Sequence, residues 1–174
     1  FASELGLQAH ALATSPAVKT HAVKTPRIGY IHTWIGTQDE GRWRIEFHRL
    51  KIPHDHTSTQ VVATEANLNG RWDVLVFPPV GRSAQQIVSG MPMWRNPMPW
   101  KKTTETPNLG GFAESDDIRP GLGWEGLMHL DAFVKQGGVF VGAVGSANFA
   151  VQFGLTDGVS ANAPGTGSRV VGSL

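Results

Sequence analysis

The sequence predicts an α/β domain, doubly wound around a mostly parallel sheet. Three apolar runs are a strand long and do not alternate with polar residues, as strands covered on both faces require: the runs at 27–32, 72–77 and 139–144. Between them lie stretches of helical period. The last long helix runs straight into Gly137-Gly138 and the third of these strands, a succession that marks a parallel crossover.

In chain order, residues 1–25 carry small and polar side chains with Ser15-Pro16 and Thr25-Pro26, and read as a linker or the tail of a preceding domain. The α/β domain then occupies 26–174. Its first strand covers 27–32. From Gln38 to Leu50 the apolar residues Trp43, Phe47 and Leu50 recur at helical spacing, with Asp39 and Glu40 in the first turn, where the helix dipole favours negative charge. Pro53 ends this helix, and a second strand is expected around His54 to Ser58. The third runs from Trp72 to Phe77 and is closed by Pro78-Pro79, which cannot continue a central ladder. A short helix is expected near Ser83 to Ser89. Residues 90–121 follow without any period. Helical pattern returns at Leu122 to Gln136, with Trp124, Leu127, Leu130 and Val134 on one face. After the buried strand at 139–144 comes a short helix at 146–153, then a Gly, Ala and Ser-rich stretch, Ser160 to Ser168, and a final edge strand at Arg169-Val170-Val171.

Composition narrows the function classes. A chain of 174 residues is the size of one domain and buries roughly two-thirds of its unfolded surface. Fifteen basic residues balance fourteen acidic ones with no basic stripe, so nucleic acid is not expected as a partner. No apolar run approaches the roughly 20 residues of a membrane span. The absence of cysteine removes disulfides, thiolate metal sites and thiol nucleophiles together. The start at Phe1, without a leader, reads as a chain processed or cut from a longer one.

Ligands of doubly wound sheets sit outside the carboxyl ends of the strands, here His32-Thr33-Trp34, 78–83 and 144–148. Two serines lie at these ends. Ser146 and Ser83 are each open to two readings, nucleophile or helix cap, since serine is a preferred N-cap. A triad would draft His32 or His129 with Asp116 or Asp117. His54 and His56 fall on one side of an extended segment and, with His32, offer a distant alternative as a zinc site, although no metal is assigned and no cofactor is expected. Ser115-Asp116-Asp117 reads as turn chemistry rather than a cation site.

The 90–121 stretch holds Met91, Met93, Trp94, Met98, Pro99 and Trp100, an apolar cluster too large to leave in water. It is expected to fold over the sheet as satellite core, or to form an interface with another domain or a second copy.

Several segments together resemble a known family. They are 26–34, Glu40-Gly41-Arg42-Trp43-Arg44, 72–79, Gly90 to Trp94 through Pro99-Trp100-Lys101-Lys102, 117–126 and Ala147-Asn148-Phe149-Ala150. Across nearly the whole chain this resembles the C-terminal, class I glutamine-amidotransferase-like region of large bacterial proteins that begin with a zinc carboxypeptidase domain. The resemblance implies a flavodoxin-like layout with a long Met/Trp/Pro-rich insertion, an upstream peptidase domain as partner, and an exported or periplasmic location. It also implies where a nucleophile would stand, on the elbow after the Gly-Gly strand, and there this chain has Val144. No residue matches the zinc ligands of the peptidase. The expectation is therefore a non-catalytic accessory domain that packs on its peptidase or on itself as a homo-oligomer. The alternatives are a hydrolase using Ser146 or Ser83 with His32, and a metal-dependent hydrolase using His32, His54 and His56.

Overall fold

The computed structural model describes residues 3–19 and 21–159 and contains one four-stranded sheet: β1 (Ile28–His32), β2 (Asp55–Ser58), β3 (Val74–Phe77) and β4 (Val139–Gly142). Every pairing is parallel, and the order across the sheet is β2-β1-β3-β4. The chain steps outward from β1 to β2, then returns past β1 to β3, so its direction of winding reverses between β1 and β3. Among the described residues five α-helices lie between the strands, α1 (Gln38–Arg49), α2 (Thr59–Thr64), α3 (Leu68–Arg71), α4 (Ala84–Ser89) and α5 (Gly123–Lys135), and α6 (Gly145–Gln152) follows β4.

Strand side chains alternate between faces, and the two faces are finished differently. Ile31, Leu75 and Phe77 point into the main core with Val62, Ile87, Leu130, Phe133 and Phe149 from the helices. Tyr30 is equally buried but lies outside that core. It meets Phe47 of α1 edge-on at 5.1 Å, and its hydroxyl donates to the Glu40 carbonyl at 2.7 Å. A double clamp joins the starts of β1 and β3: Arg27 donates through its backbone N–H and Nε to Asp73 Oδ2 and through Nη2 to Asp73 Oδ1.

Several expectations are corrected. The run at 139–144 is a half-open edge strand rather than a buried one. Val139 and Val141 are exposed, because among the described residues β4 pairs with β3 alone and α5 and α6 take the side of Phe140. On α5 the buried set is Gly126, Leu130 and Phe133, and Trp124 stands exposed against the edge of Phe153. On α1, Trp43 and Leu50 are exposed and the one buried residue is Glu40. Trp72 precedes β3 rather than beginning it, yet is buried, with its indole N–H donating to Asp55 Oδ2 at 3.1 Å. Helices α2 and α3 were not expected from the sequence. Each has a capping side chain, Ser58 accepting from the Val61 N–H and Asn67 from the Gly70 N–H. The stretches Ser160 to Ser168 and Arg169 to Val171 lie outside the described residues.

Between α4 and α5, the segment 90–122 has neither helix nor strand but is tied to itself. Gly90 bridges Pro120 and Trp100 bridges Ser115. At the neck, Gly90 has φ +73°, and a Cβ there would stand 2.1 Å from the Arg119 carbonyl, so this approach needs glycine. Arg119 is the buried nail of the loop: Nε and Nη2 pair with the Asp117 carboxylate, and Nη1 donates to the carbonyls of Trp94 and Arg95. That pairing holds the Asp117 carboxyl far below its ordinary value. Ser115 and Asp117 thus do turn chemistry, as expected. The apolar cluster is not satellite core: Met93, Trp94, Met98 and Trp100 are exposed. No helix among the described residues is long and apolar enough to cross a membrane.

Candidate functional site

The carboxyl edge of the sheet carries two distinct constructions. At the β4–α6 turn, Val144 has φ 56° and ψ −113° and is 73% exposed. A β-branched residue in that region is a genuine outlier, since its Cβ crowds the backbone. The turn is held from below. Gly145 is packed so tightly that a Cβ would meet the Val80 carbonyl oxygen at 2.0 Å. Ser146 is 0% exposed; its Oγ accepts from the Ala143 N–H at 2.8 Å and faces the Phe77 and Ala143 carbonyls at 2.6 and 2.9 Å. Its one proton and one of its lone pairs are taken up by backbone. Ser146 is therefore not the N-cap of α6, a position held by Val144, and its hydroxyl is engaged by the backbone of the turn.

Ser83 is exposed and serves as a helix cap. It caps α4 in a reciprocal capping box, its Oγ accepting from the Gln86 N–H at 3.2 Å while Gln86 Oε1 accepts from the Ser83 N–H at 3.1 Å. Neither serine borders the pocket that His32 lines.

That pocket is the second construction, a cavity of about 380 Å³ beyond the ends of β1 and β2, closed on its far side by the 90–122 loop. Because His32 and His56 lie on paired parallel strands, their rings stack, 4.5 Å apart and within 9° of parallel. His32 is 5% exposed, and Glu40, from the first turn of α1, is 6% exposed. Glu40 Oε1 receives His56 Nε2 at 3.3 Å and Arg44 Nε at 3.5 Å. Burial alone would push the Glu40 carboxyl up, but the His56 hydrogen bond and the Arg44 charge hold it below the usual range, so it is ionised at neutral pH. Burial, with His56 alongside, lowers the His32 imidazole to about 4. His32 is therefore neutral near pH 7. Its Nδ1 lies 3.3 Å from the Thr33 carbonyl, which can only accept; Nδ1 carries the proton and Nε2 keeps its lone pair. Burial and the nearby Glu40 push the Tyr30 phenol well above its ordinary value.

Four buried polar atoms here have no hydrogen-bond partner among the described residues: His32 Nε2, Trp34 Nε1, His56 Nδ1 and Thr57 Oγ1. Such atoms are rare and costly, about 1–3 kcal/mol each. Three of them, on His32, Trp34 and His56, belong to residues lining one cavity, whereas Thr57 is paired with Ile31 on the other face of the sheet.

The histidine set expected for a metal is not assembled. His54 Nδ1 lies 2.8 Å from the Ile52 carbonyl, and the ring packs against Phe47 and His48. His129 Nδ1 lies 3.0 Å from the Val62 carbonyl. Parallel stacked imidazoles cannot aim lone pairs at one ion. Among the described residues no group of three His, Cys, Asp or Glu side chains could hold a metal. Asp116 pairs with Lys101 and Asp117 with Arg119, so neither orients a histidine.

Scans against protein-family models, curated proteins and solved structures return no match. Of the residues read from the sequence as candidates, the pocket contains His32, His56 and Trp100. Glu40 and Arg44, which also line it, were not singled out from the sequence; the signal was there, an acid and a base one helical turn apart on α1.

Proposed function

We propose that this chain is a non-catalytic, glutamine-amidotransferase-like accessory domain with its nucleophile position, Val144, vacant. The observation that supports the reading is the strained elbow itself. Backbone strain of this kind persists where surrounding structure enforces it and is typical of functional turns; a nucleophile elbow is one such turn. Here the turn, its tight glycine and its exposed tip are present, while the side chain at the tip has no lone pair and no proton to give. The Ser146 hydroxyl is engaged by backbone and the Ser83 hydroxyl by the Gln86 backbone N–H and side chain, which weighs against a serine hydrolase at either position.

The accessory role is carried by contact. Met93, Trp94, Met98 and Trp100 form an exposed apolar group, with Met91 half-buried beside them, and residues of these types are enriched in interface centres. Its partner in this reading is a zinc carboxypeptidase-type domain of the same exported polypeptide, or a second copy of the chain.

The test is a panel of activated esters and primary amides, including glutamine, assayed with the wild type and with Ser146→Ala and Ser83→Ala. No turnover above buffer is expected from any of them. Wild-type hydrolysis that disappears in either folded serine variant would overturn the reading in favour of the hydrolase. Sedimentation across a range of concentrations decides between partners: a strictly monomeric mass rules out the second copy.

A further inference from the structure

We propose that the pocket beyond β1 and β2 binds a neutral polyhydroxylated ligand, a monosaccharide or short glycan, held by His32, Glu40 and Arg44 against Trp34, Trp100 and Phe112. This goes beyond the accessory role and rests on a separate cavity, which shares only Trp100 with the exposed apolar group.

The hydrogen-bonding inventory is mixed. His32 Nε2 is an unspent acceptor and Trp34 Nε1 an unspent donor, both buried. Arg44 pairs through Nε with Glu40, its guanidinium carbon stands 4.6 Å over the Phe112 ring, and the residue lines the cavity, adding a planar set of N–H donors to its wall. A hydroxyl both donates and accepts, so a ligand bearing several in a row can answer such a set; a carboxylate only accepts and an ammonium only donates.

The charges point the same way. Arg44 and Glu40 already form an ion pair on the pocket wall, so their charges cancel locally. A net-charged ligand entering would lose its hydration without an uncommitted counter-charge to replace it, whereas a neutral one loses less.

The aromatic walls select further. Trp100 and Phe112 are exposed at the rim, and sugar rings present C–H groups that lie on such faces. A flat aromatic ligand would need a parallel slot. Trp34 and Trp100 instead lean on each other, 6.2 Å apart and tilted by 53°, which leaves none. The cavity, about 380 Å³, is within the roughly 300–1,000 Å³ usual for small-molecule sites.

The experiment titrates the full chain with glucose, galactose, mannose, N-acetylglucosamine, maltose and cellobiose. Concentrations run to about 50 mM, well past the roughly 1 mM dissociation constant of weak binding. Tryptophan fluorescence and thermal midpoint are read together. At least one sugar is expected to give a saturable change in both. Trp100→Ala, a rim substitution that leaves the core untouched, should weaken it about tenfold or more, while Trp100→Phe stays within about threefold. Glu40→Gln should weaken it similarly in protein whose circular dichroism is unchanged. The proposal is overturned if no sugar binds, if glutamate, acetate or spermidine binds in their place, or if Trp100→Ala leaves the affinity unaltered. None of these outcomes bears on the vacant elbow, which Trp100→Ala does not touch.

Discussion

Ser146 and His32 stand at the carboxyl ends of neighbouring parts of one sheet, both almost wholly out of water, and their polar atoms have opposite fates. Ser146 Oγ meets two carbonyls and an N–H of the chain, so the β4–α6 end is self-sufficient. His32 Nε2, with Trp34 Nε1 and His56 Nδ1 close by, meets none, so the β1–β2 end is left polar and incomplete. Burial alone therefore does not separate structural from functional polar groups; whether the chain itself satisfies them does. At the elbow the strain is in the backbone, and at the pocket it is in the solvation of side chains.

Four measurements would break or sharpen this contrast. The largest effect is expected at the elbow's foundation: Gly145→Ala, driving a Cβ against the Val80 carbonyl, should cost about 3 kcal/mol or more by urea unfolding, and a neutral result would mean the turn is loosely held. The pocket should show its cost through pH. His32 titrates at about 4 when folded, against 6.5 for the free side chain. Between those values the unfolded chain takes up a proton that the folded one refuses, so stability falls as pH drops through that window, by about 3 kcal/mol in all. Glu40, depressed when folded, contributes stability that is complete above its ordinary value and lost only as pH falls below it. The interval from pH 6.5 to about 4.5 thus isolates the imidazole. His32→Asn should flatten stability there, and an unchanged slope would show that His32 is not buried neutral. Next, Ser146→Ala should cost about 2 kcal/mol, because it strands the Ala143 N–H and the Phe77 carbonyl; a loss of a few tenths would mean the elbow is no better satisfied than the pocket. The smallest effect has the opposite sign. Val144→Gly relieves strain worth about 1–3 kcal/mol, less up to about 1 kcal/mol of added freedom in the unfolded chain, and should stabilise the protein by about 1 kcal/mol. A destabilised Val144→Gly would mean the valine is held by packing rather than merely tolerated.

Three of the four strands were legible because they are short apolar runs near proline or glycine, and because Gly137-Gly138 separates helix from strand so sharply, whereas β2, Asp55–Ser58, holds no apolar residue. What the runs could not reveal is exposure. The sequence 139–144 is as apolar as a central strand, and only the pairing among the described residues places it at an edge. Helices α2 and α3, at six and four residues, are too short to show a period, although Ser58 and Asn67 are the caps that begin them. On α1 the apolar stripe misled. Trp43 and Leu50 drew the buried face toward themselves, whereas the residue that turns inward is Glu40, whose charge made it look like surface. The pocket followed from neither pattern, because His32 and His56 are brought together by strand register and Glu40 by the turn of a helix, and neither is written in local spacing.

The neck of the 90–122 loop has a consequence for how this protein can change. Gly90 and Arg119 close the loop at its base, while Trp100 and Phe112 belong to its outer part and His32 and Glu40 to the sheet and α1. Floor and ceiling of the cavity are thus separately encoded. Substitutions or length changes in the outer loop can reshape what the ceiling accepts at little cost to the sheet, since lengthening a closed loop costs slowly growing entropy. Selection could retune the preference of the pocket through one exchangeable segment, with the buried polar floor inherited unchanged.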